Sequence, residues 1–339
     1  MVVADTNADS AESGTPQCLR RRRKLDQTIE ETRIQMTRHT RRNFIQSAAA
    51  AVVCTTPLLR SNRLMASPFG LPIGLQLYSV REMLAKDYEG TLKQVASLGY
   101  QEVETAGYFD HAPEQVKSAM SAAGLKCVSA HYPYTSLSKD FDKIVDFNKE
   151  IGVQYIICAF PGIKDPSRLK DSSYQTQIRA FTLEDYRWNA DQFNKFGEKL
   201  KAAGMKFGYH NHTMEFAKQD GVVPLDEMIR LTDPDLVTFE MDCGWVIVGG
   251  ANPVDYLKRY PSRISMLHVK DFKHSDTPVS VMEPPPAAEL GQGTLDYRPV
   301  FEAAKKADIK HYFVEQEGFD IPPMDALKID ADYMKKLTV

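Results

Sequence analysis

From residue 72 onward, short apolar runs typical of β-strands alternate with segments of helical periodicity in a regular order. Two of the helical segments, residues 88–99 and 114–124, end on a glycine, the usual residue at a helix C-terminus. Eight strand–helix units within about 250 residues predict an α/β fold, a (β/α)8 or TIM barrel in a single domain. The strand-like runs are residues 73–78, 102–106, 126–132, 155–160, 206–212, 237–244, 264–272 and 312–317.

An open, doubly wound sheet is the alternative for such an alternation. The first strand lacks the glycine-rich phosphate-binding motif that usually follows it in that fold, so the barrel is favoured. Two connections are long, residues 161–186 after the fourth strand and residues 275–293 after the seventh. Both follow carboxyl-terminal strand ends, where barrels build their active sites, so we expect them to act as lids.

Charge is unevenly distributed along the chain. The net charge is −3 at pH 7. Residues 1–66 contain 11 basic and 6 acidic side chains, a net charge of +5, which leaves −8 for the remainder. An acidic body lacks the basic surface of a nucleic-acid-binding protein. We therefore expect a small ligand or a metal ion, and no nucleic-acid partner.

The basic N-terminal region resembles a twin-arginine export signal. Arg41 and Arg42 precede the sequence NFI, and an apolar run follows at residues 48–53. That run is shorter than the roughly 20 residues of a membrane-spanning helix, so we expect no stable membrane insertion. The prediction divides the chain into residues 1–66, a disordered N-terminus with a removable signal, and residues 67–339, the catalytic barrel of an exported, periplasmic protein. An ordinary amphipathic helix is the alternative.

The stretch SMLHVKDF, residues 265–272, places His268 and Lys270 in what is otherwise a buried strand. Such groups are costly to bury without partners, so they must face something polar. Side chains two residues apart on a strand share a face, and the same alternation brings polar groups to other strand ends. We expect them to converge at the carboxyl-terminal mouth of the barrel. The set includes Gln76, Glu104, Ser129, His131, His210, His212, Glu240, Asp242, His268, Lys270, Glu315 and Glu317.

Carboxylates brought together in this way repel one another, and a divalent cation would remove that repulsion. Two carboxylates with imidazoles form a mixed oxygen and nitrogen site, which suits Mn²⁺, Co²⁺, Fe²⁺ or Zn²⁺, whereas Mg²⁺ prefers mostly oxygen ligands. A catalytic site also keeps one coordination position open for water or substrate. We therefore predict one divalent metal ion (Mn, Co, Fe, Zn or Mg) at the mouth of the barrel.

Four segments together resemble the sugar phosphate isomerase/epimerase-like family, also called xylose isomerase-like: GLQLYSVR, YHNHTMEF, MDCGWVIVGGANPVDYLKRYPSRISMLHVKD and VEQE. The resemblance covers residues 72–335 and is most specific in the series D-x-x-W, G-x-x-P and R-x-x-x-x-H-x-K-D. It implies a barrel that binds one divalent metal at the ends of strands five to eight. Asp242, His268 and Glu315 match the ligands of strands six, seven and eight.

The fourth ligand departs from the pattern of that family. Many members carry a glutamate at the end of strand five, where this chain has the sequence GYHNH at residues 208–212. Parity favours His210 as the metal ligand, with His212 and Glu215 as rivals. At the position of Trp245, several epimerases of that family have a histidine that holds substrate. The tryptophan in this chain instead predicts an apolar face for a sugar ring.

The resemblance implies a metal-dependent isomerase or epimerase that removes a proton α to a carbonyl through an enediolate. Glu315 is the expected base or proton carrier, with His210 or His212 as its partner. Sugar phosphates are scarce outside the cytoplasm, so we expect an unphosphorylated sugar or keto-sugar. Further substrate contacts are predicted for Glu104, His131, Glu215, Trp245, Lys270 and Glu317, although some of these could instead serve the barrel core or pair with neighbouring charges.

Expulsion of a β-substituent by the same chemistry gives the main alternative, a metal-dependent lyase or hydratase of 3-keto-glycosides. A non-catalytic sugar-binding barrel, a hydrolase that uses a metal-bound water, and an abasic-site endonuclease are further alternatives. The endonuclease would need several metal ions and a basic face, which disagrees with the acidic body. The sequence leaves the oligomeric state open, a homo-oligomer included.

Overall fold

A computed structural model describes residues 70–171, 173–275 and 284–338. Eight parallel strands form its barrel: β1 (Gly74–Gln76), β2 (Glu102–Thr105), β3 (Lys126–Pro133), β4 (Tyr155–Phe160), β5 (Lys206–His210), β6 (Val237–Asp242), β7 (Ile264–Val269) and β10 (His311–Val314). They close in the order β1-β10-β7-β6-β5-β4-β3-β2, because β1 pairs with both β2 and β10. The predicted (β/α)8 barrel is confirmed. Two short strands, β8 (Asp271–Phe272) and β9 (Ala287–Ala288), pair beside it.

Helices connect the barrel strands, and local signals set their ends. They are α1 (Arg81–Leu84), α2 (Tyr88–Ser97), α3 (Pro113–Ala123), α4 (Tyr134–Ile151), α5 (Tyr174–Ala180), α6 (Leu183–Ala202), α7 (Pro224–Leu231), α8 (Cys243–Val248), α9 (Pro253–Arg259), α10 (Arg298–Lys306) and α11 (Pro323–Lys336). The side chains of Asp87 and Thr182 cap the N-termini of α2 and α6. Gly124 and Gly152 follow α3 and α4 with φ of 74° and 92°, a left-handed backbone that favours glycine.

Apolar side chains fill the barrel interior below its carboxyl-terminal mouth. Gly208 of β5 makes room for them, since a Cβ there would collide with the side chain of Ile157. The apolar cluster thereby forms the floor below the carboxyl-terminal end of the barrel. The interior cluster consists of Val128, Tyr155, Ile157, Met266 and Phe313.

The pairing register shifts at two places that concern the barrel interior. One shift lies between Val103 and Glu104, where β2 pairs with β3, and the other between Phe239 and Glu240, where β6 pairs with β7. Irregularities of this kind re-aim side chains and are common next to active sites. Each shift here lies at a buried glutamate.

The two predicted lids are described to different extents. Residues 161–186 contain a short 3-10 helix (Pro166–Arg168) and α5, and the Arg168 guanidinium lies 2.7 Å from the Asp185 carboxylate. Of the second predicted lid, residues 276–283 lie outside the described residues. The lid function of both segments stays a prediction.

Two buried carboxylates hold the chain where it returns from the second of these segments. Asp330 on α11 accepts a hydrogen bond from the Leu290 N–H at 2.7 Å. Burial raises the pKa of Asp330 to about 7. Asp271 accepts hydrogen bonds from five backbone N–H groups, those of Phe272, Gly291, Gly293, Thr294 and Leu295. This carboxylate thus ties the segment after β7 to the turn that leads into α10.

The predicted twin-arginine signal lies outside the described residues, as does the whole of the predicted N-terminal segment 1–66. Export to the periplasm and the boundary at residue 66 therefore stay predictions. Within residues 70–171, 173–275 and 284–338, no helix combines the length and the hydropathy that a membrane span requires.

We expect the Asp330→Asn variant to be more stable than the wild type at pH 8 and about as stable at pH 4. The pKa of Asp330 is about 7 in the folded chain and about 3.9 in the unfolded chain. Its contribution to stability is therefore complete below the unfolded value and is lost as the pH rises through the folded value. Urea unfolding at both pH values measures this change.

Asp332 on the same helix provides the control, because the hydrogen bond from Lys328 lowers its pKa. Replacement of Asp332 by Asn should therefore act in the opposite sense and reduce stability at pH 8. Equal stability of wild type and Asp330→Asn at pH 8 would contradict the expectation.

Candidate active site

The polar residues at the strand ends face the barrel axis, as their alternation predicts. They form a buried layer directly above the apolar interior cluster. Their side chains lie close enough to contact one another across the barrel. The buried members are Gln76, Glu104, Ser129, His210, Glu240, Asp242, His268, Lys270 and Glu315.

Two groups of these side chains could each hold a metal ion. The ligand atoms of Asp242, His268 and Glu315 lie within 4.8 Å of one another and form the upper group. Glu315 and His210 also line the cavity at the mouth. The other group lies deeper and consists of His131, His210, Glu240 and His268.

The upper group has the spacing of ligands around one ion. His268 Nδ1 lies 3.0 Å from Glu315 Oε2 and 3.9 Å from Asp242 Oδ2, and His210 Nε2 lies 3.9 Å from the same Asp242 oxygen. Ligands bound at about 2.0–2.2 Å from a metal are separated by such distances.

Asp242 shows that the upper group suits a cation. Its Oδ1 accepts a hydrogen bond from the Trp245 N–H at 2.8 Å, which also begins helix α8. Its Oδ2 is buried and forms no hydrogen bond of acceptable geometry among the described residues, although the Lys270 ammonium lies 3.0 Å away. A buried carboxylate oxygen needs a positively charged partner, and a metal ion could serve as one beside the ammonium.

Lys270 supplies positive charge to the upper group. Its Nζ lies 3.0 Å from Asp242 Oδ2, 2.7 Å from Glu315 Oε2 and 2.6 Å from Glu317 Oε1. Burial lowers the pKa of Lys270, but the charges of Asp242 and Glu315 outweigh it and raise the pKa well above its ordinary value. Burial likewise raises the pKa of Glu315, and Lys270 and His268 together hold it well below its ordinary value.

Glu240 organises the deeper group. Its Oε2 lies 2.6 Å from His131 Nε2, 3.1 Å from His210 Nδ1 and 3.2 Å from His268 Nε2. Carboxylates that accept a hydrogen bond from one imidazole nitrogen fix the tautomer and leave the other nitrogen free for a metal. We infer that Glu240 holds the protons on these inner nitrogens. His210 Nε2 and His268 Nδ1 face Asp242, and a metal that replaced the proton shared by His268 Nδ1 and Glu315 would find its nitrogen ligands there.

Glu104 supports the same arrangement from β2. Its Oε2 lies 2.7 Å from His268 Nε2 and 2.8 Å from His131 Nε2. Gln76 donates a hydrogen bond to Glu104 at 2.8 Å, and the Ser129 hydroxyl donates another. Burial lowers the pKa of His131, but the two glutamates outweigh it and raise the pKa to about 9. The imidazoles of the deeper group are therefore paired with Glu104 and Glu240, although Glu240 Oε1 is buried without a hydrogen-bond partner among the described residues. We favour the upper group as the candidate metal centre because it brings together Asp242, His268 and Glu315, the three ligands that the sequence resemblance implies.

His212 stands apart from both groups. It lines the cavity, and its Nδ1 is buried without a hydrogen-bond partner among the described residues. Burial and the nearby His210 hold the pKa of His212 well below its ordinary value, so the imidazole is neutral. The rings of Phe160 and Trp245 flank it at centroid distances of 6.0 Å and 6.4 Å. A neutral imidazole with a free nitrogen is a competent proton acceptor.

Glu215 lies behind His212. Its carboxylate accepts hydrogen bonds from the His212 backbone N–H at 3.0 Å and from the Tyr209 hydroxyl. Burial raises the pKa of Glu215 to about 7. The carboxylate belongs to neither metal-binding group, so the structure does not support the rival prediction of Glu215 as a ligand. Its contacts hold the loop that carries His212.

A cavity of about 630 Å³ opens above the upper group. Lys270, Glu104 and Glu215, which were predicted to contact substrate, are buried and do not reach its wall. Each of them instead contacts a residue that lines the wall. The predicted site residues in the wall are His131, His210, His212, Trp245, Glu315 and Glu317.

Three further residues were given no assigned role from the sequence. Glu240 belongs to the inward set because it shares the parity of Asp242, but it was not predicted as a ligand or a substrate contact. Tyr78, after β1, and Tyr174, on α5, line the mouth of the cavity. Tyr78 lies within the segment GLQLYSVR, whereas Tyr174 has no motif around it.

We expect the purified protein to bind about one divalent ion per chain. Asp242→Asn and His268→Ala should abolish binding, because each removes a donor from the upper group. Metal content after dialysis against Zn²⁺ or Mn²⁺ provides the measurement. His311→Ala is the matched control, since His311 pairs with Glu102 outside both metal-binding groups. Full occupancy in both site variants would refute the assignment.

Glu240→Gln should weaken metal affinity about 10- to 100-fold without abolishing it. The amide keeps the size of the side chain but no longer stabilises protons on the inner imidazole nitrogens. Competition with a chromogenic chelator gives the affinity. Glu102→Gln, which alters the carboxylate beside His311, should leave the affinity unchanged. An unchanged affinity in Glu240→Gln would mean that the imidazoles are oriented without it.

Comparison with known proteins places this geometry in a family. Residues 92–337 match the xylose isomerase-like TIM barrel family. An inosose dehydratase from Clostridium botulinum (strain Alaska E43 / Type E3) is 26% identical over 268 residues, which cover 74% of this chain and 89% of that protein. A sugar phosphate isomerase/epimerase structure from Parabacteroides distasonis has a TM-score of 0.63 at 29% identity, covering 78% of this chain and 97% of its own.

A structure of the IolI protein with a bound zinc atom has a TM-score of 0.60 at 13% identity, covering 79% of this chain and 99% of its own. At that identity the likeness concerns the fold alone. The family match extends over most of the barrel, from α2 to α11. This chain therefore belongs to the xylose isomerase-like TIM barrel family.

Proposed function

We propose that this protein is a divalent-metal-dependent lyase that eliminates a β-substituent, in the simplest case water, from an unphosphorylated cyclic keto-sugar or keto-polyol. The observation that carries the proposal is the upper group of Asp242, His268 and Glu315, with His210 Nε2 at 3.9 Å from Asp242 Oδ2, at the base of a cavity that His212 also lines. The set would hold the metal, and the free imidazole would take the proton.

The curated relatives favour elimination over the isomerisation or epimerisation that the sequence resemblance implies. Inosose dehydratases from Clostridium botulinum and several other bacteria match most of this chain at 22–26% identity. Dehydration and epimerisation begin with the same loss of a proton α to a carbonyl. They differ in whether a β-oxygen then leaves or a proton returns.

The walls of the cavity favour an unphosphorylated substrate. No lysine or arginine is among the described residues that line it, whereas two glutamates, Glu315 and Glu317, are. Phosphate recognition ordinarily uses basic side chains or a helix N-terminus. A neutral polyol suits this wall better, because its hydroxyls can donate hydrogen bonds to carboxylates.

Three residues in the wall, His212, Trp245 and Glu317, have roles in such an elimination. A bound divalent cation would polarise the ketone and stabilise the negative charge that develops on its oxygen. His212 accepts the α-proton, since Glu315 and His210 are engaged in the donor set. Trp245 offers an apolar face to the ring, and Lys270 holds its indole at 4.5 Å. Glu317, fixed by Lys270, accepts hydrogen bonds from ring hydroxyls.

Incubation of the metal-loaded protein with an inosose in D₂O tests this proposal. We expect loss of water, seen by NMR and by the ultraviolet absorbance of the unsaturated ketone. His212→Ala should reduce kcat by about 10²- to 10⁴-fold, because it removes the proton acceptor. His311→Ala should retain activity. Deuterium at the α-carbon of a recovered saturated ketone, without unsaturated product, would restore the isomerase or epimerase assignment.

A further inference from the structure

The deeper group is a second set of metal donors, and it is richer in nitrogen than the upper group. Its members come from four neighbouring strands, β3, β5, β6 and β7. His131 Nε2, His210 Nδ1 and His268 Nε2 lie 2.6 Å, 3.1 Å and 3.2 Å from Glu240 Oε2. The four ligand atoms all lie within 4.8 Å of one another. Neighbouring ligands of an ion bound at about 2.0–2.2 Å have similar separations.

The Glu240 carboxylate is unevenly used by these imidazoles. All three approach its Oε2, whereas its Oε1 is buried and has no hydrogen-bond partner among the described residues. The whole side chain is inaccessible to solvent. A buried carboxylate oxygen without a partner is costly. A cation held between this carboxylate and the three nitrogens would supply the positive partner that Oε1 lacks.

The donors of the deeper group suit a particular kind of ion. Three imidazoles and one carboxylate favour ions that bind nitrogen well, and among divalent first-row metals the affinity for such donors is highest for Cu²⁺. The imidazoles of His131 and His268 are already paired with Glu104 as well as Glu240, at 2.8 Å and 2.7 Å from Glu104 Oε2. An incoming ion must replace these hydrogen bonds, so the strongest imidazole binder is the best suited.

The two groups share two rings. His210 Nδ1 and His268 Nε2 face the deeper group, while His210 Nε2 and His268 Nδ1 face Asp242 in the upper group. A neutral imidazole has one lone-pair nitrogen and one N–H nitrogen, so each ring can bind an ion on one side only. An ion in the deeper group therefore takes both rings from the upper group. The chain still binds about one ion, in one group or the other.

We propose that the deeper group is a Cu²⁺ site that competes with the metal centre of the upper group. His131 and His210 line the wall of the cavity, so an ion can enter from the mouth. The ion keeps its oxidation state on binding. Occupation of the deeper group leaves the upper group with Asp242 and Glu315 alone and thereby inhibits the enzyme. Only this inhibition rests on the proposed function.

Cu²⁺ at one equivalent, added to the metal-free protein, is the probe, and electron paramagnetic resonance counts the bound imidazoles through their nitrogen couplings. We expect three imidazoles in the wild type. Asp242→Asn, which should lose Mn²⁺, should keep the three-imidazole signal, because Asp242 lies outside the deeper group. His131→Gln should lose that signal and still take up one Mn²⁺. His311→Ala, outside both groups, should behave as the wild type.

Anomalous scattering at the copper absorption edge locates the ion in wild-type crystals, whether or not His131→Gln folds. Copper in the upper group, or a three-imidazole signal that survives in His131→Gln, would overturn the proposal. One equivalent of Cu²⁺ should also slow elimination by the Mn²⁺-loaded wild type by about 10-fold or more, because Cu²⁺ binds imidazole more tightly than Mn²⁺ does. Full activity with copper in the deeper group would overturn the competition. Copper in that group of a protein that eliminates nothing would support the site, and the proposed function alone would fail.

Discussion

Mutual repulsion among four carboxylates at the open end of the barrel is the constraint on which the rest of this site depends. Glu104 and Glu240 lie in a lower layer, and Asp242 and Glu315 lie above them. Buried charges of one sign are tolerated only when partners of the other sign lie among them. Imidazoles offset the negative charge of the lower layer, and a lysine or a metal ion offsets that of the upper layer. His268 contacts both layers and joins them into one network.

The sequence predicts the barrel because eight alternating units leave few other topologies, and it predicts the inward set because side chains alternate along a strand. Alternation does not give the height of a residue along the barrel axis. Glu104 was therefore expected to contact substrate, although it lies in the lower layer. Glu240 was expected to face inward with the rest of the set, but for the same reason no role as a ligand or as a support of ligands was predicted for it. Register shifts at both glutamates set their height, and no local pattern encodes such shifts.

Contacts that depend on loops were harder to predict than those on strands. Glu215 was a rival prediction for the fourth metal ligand because it is the nearest carboxylate along the chain. A 3-10 turn (Met214–Phe216) instead places it behind His212. Lys270 was expected to meet substrate, and its three ion pairs instead make it part of the site framework. The donor set alone suits proton abstraction of several kinds. Discrimination between elimination and isomerisation therefore depends on residues that hold the leaving group, which lie on loops.

Lys270 gives the barrel an internal counter-ion. With its ammonium between Asp242 and Glu315, the chain can fold and remain neutral at its centre before any metal arrives. Folding and metallation are then separate events, unlike in small zinc domains whose apo forms are unfolded. If a cation binds these carboxylates, it would take over the role of the ammonium, which would keep its ion pair with Glu317. Metal exchange would then be coupled to movement of this one side chain, and the barrel would not need the ion in order to fold.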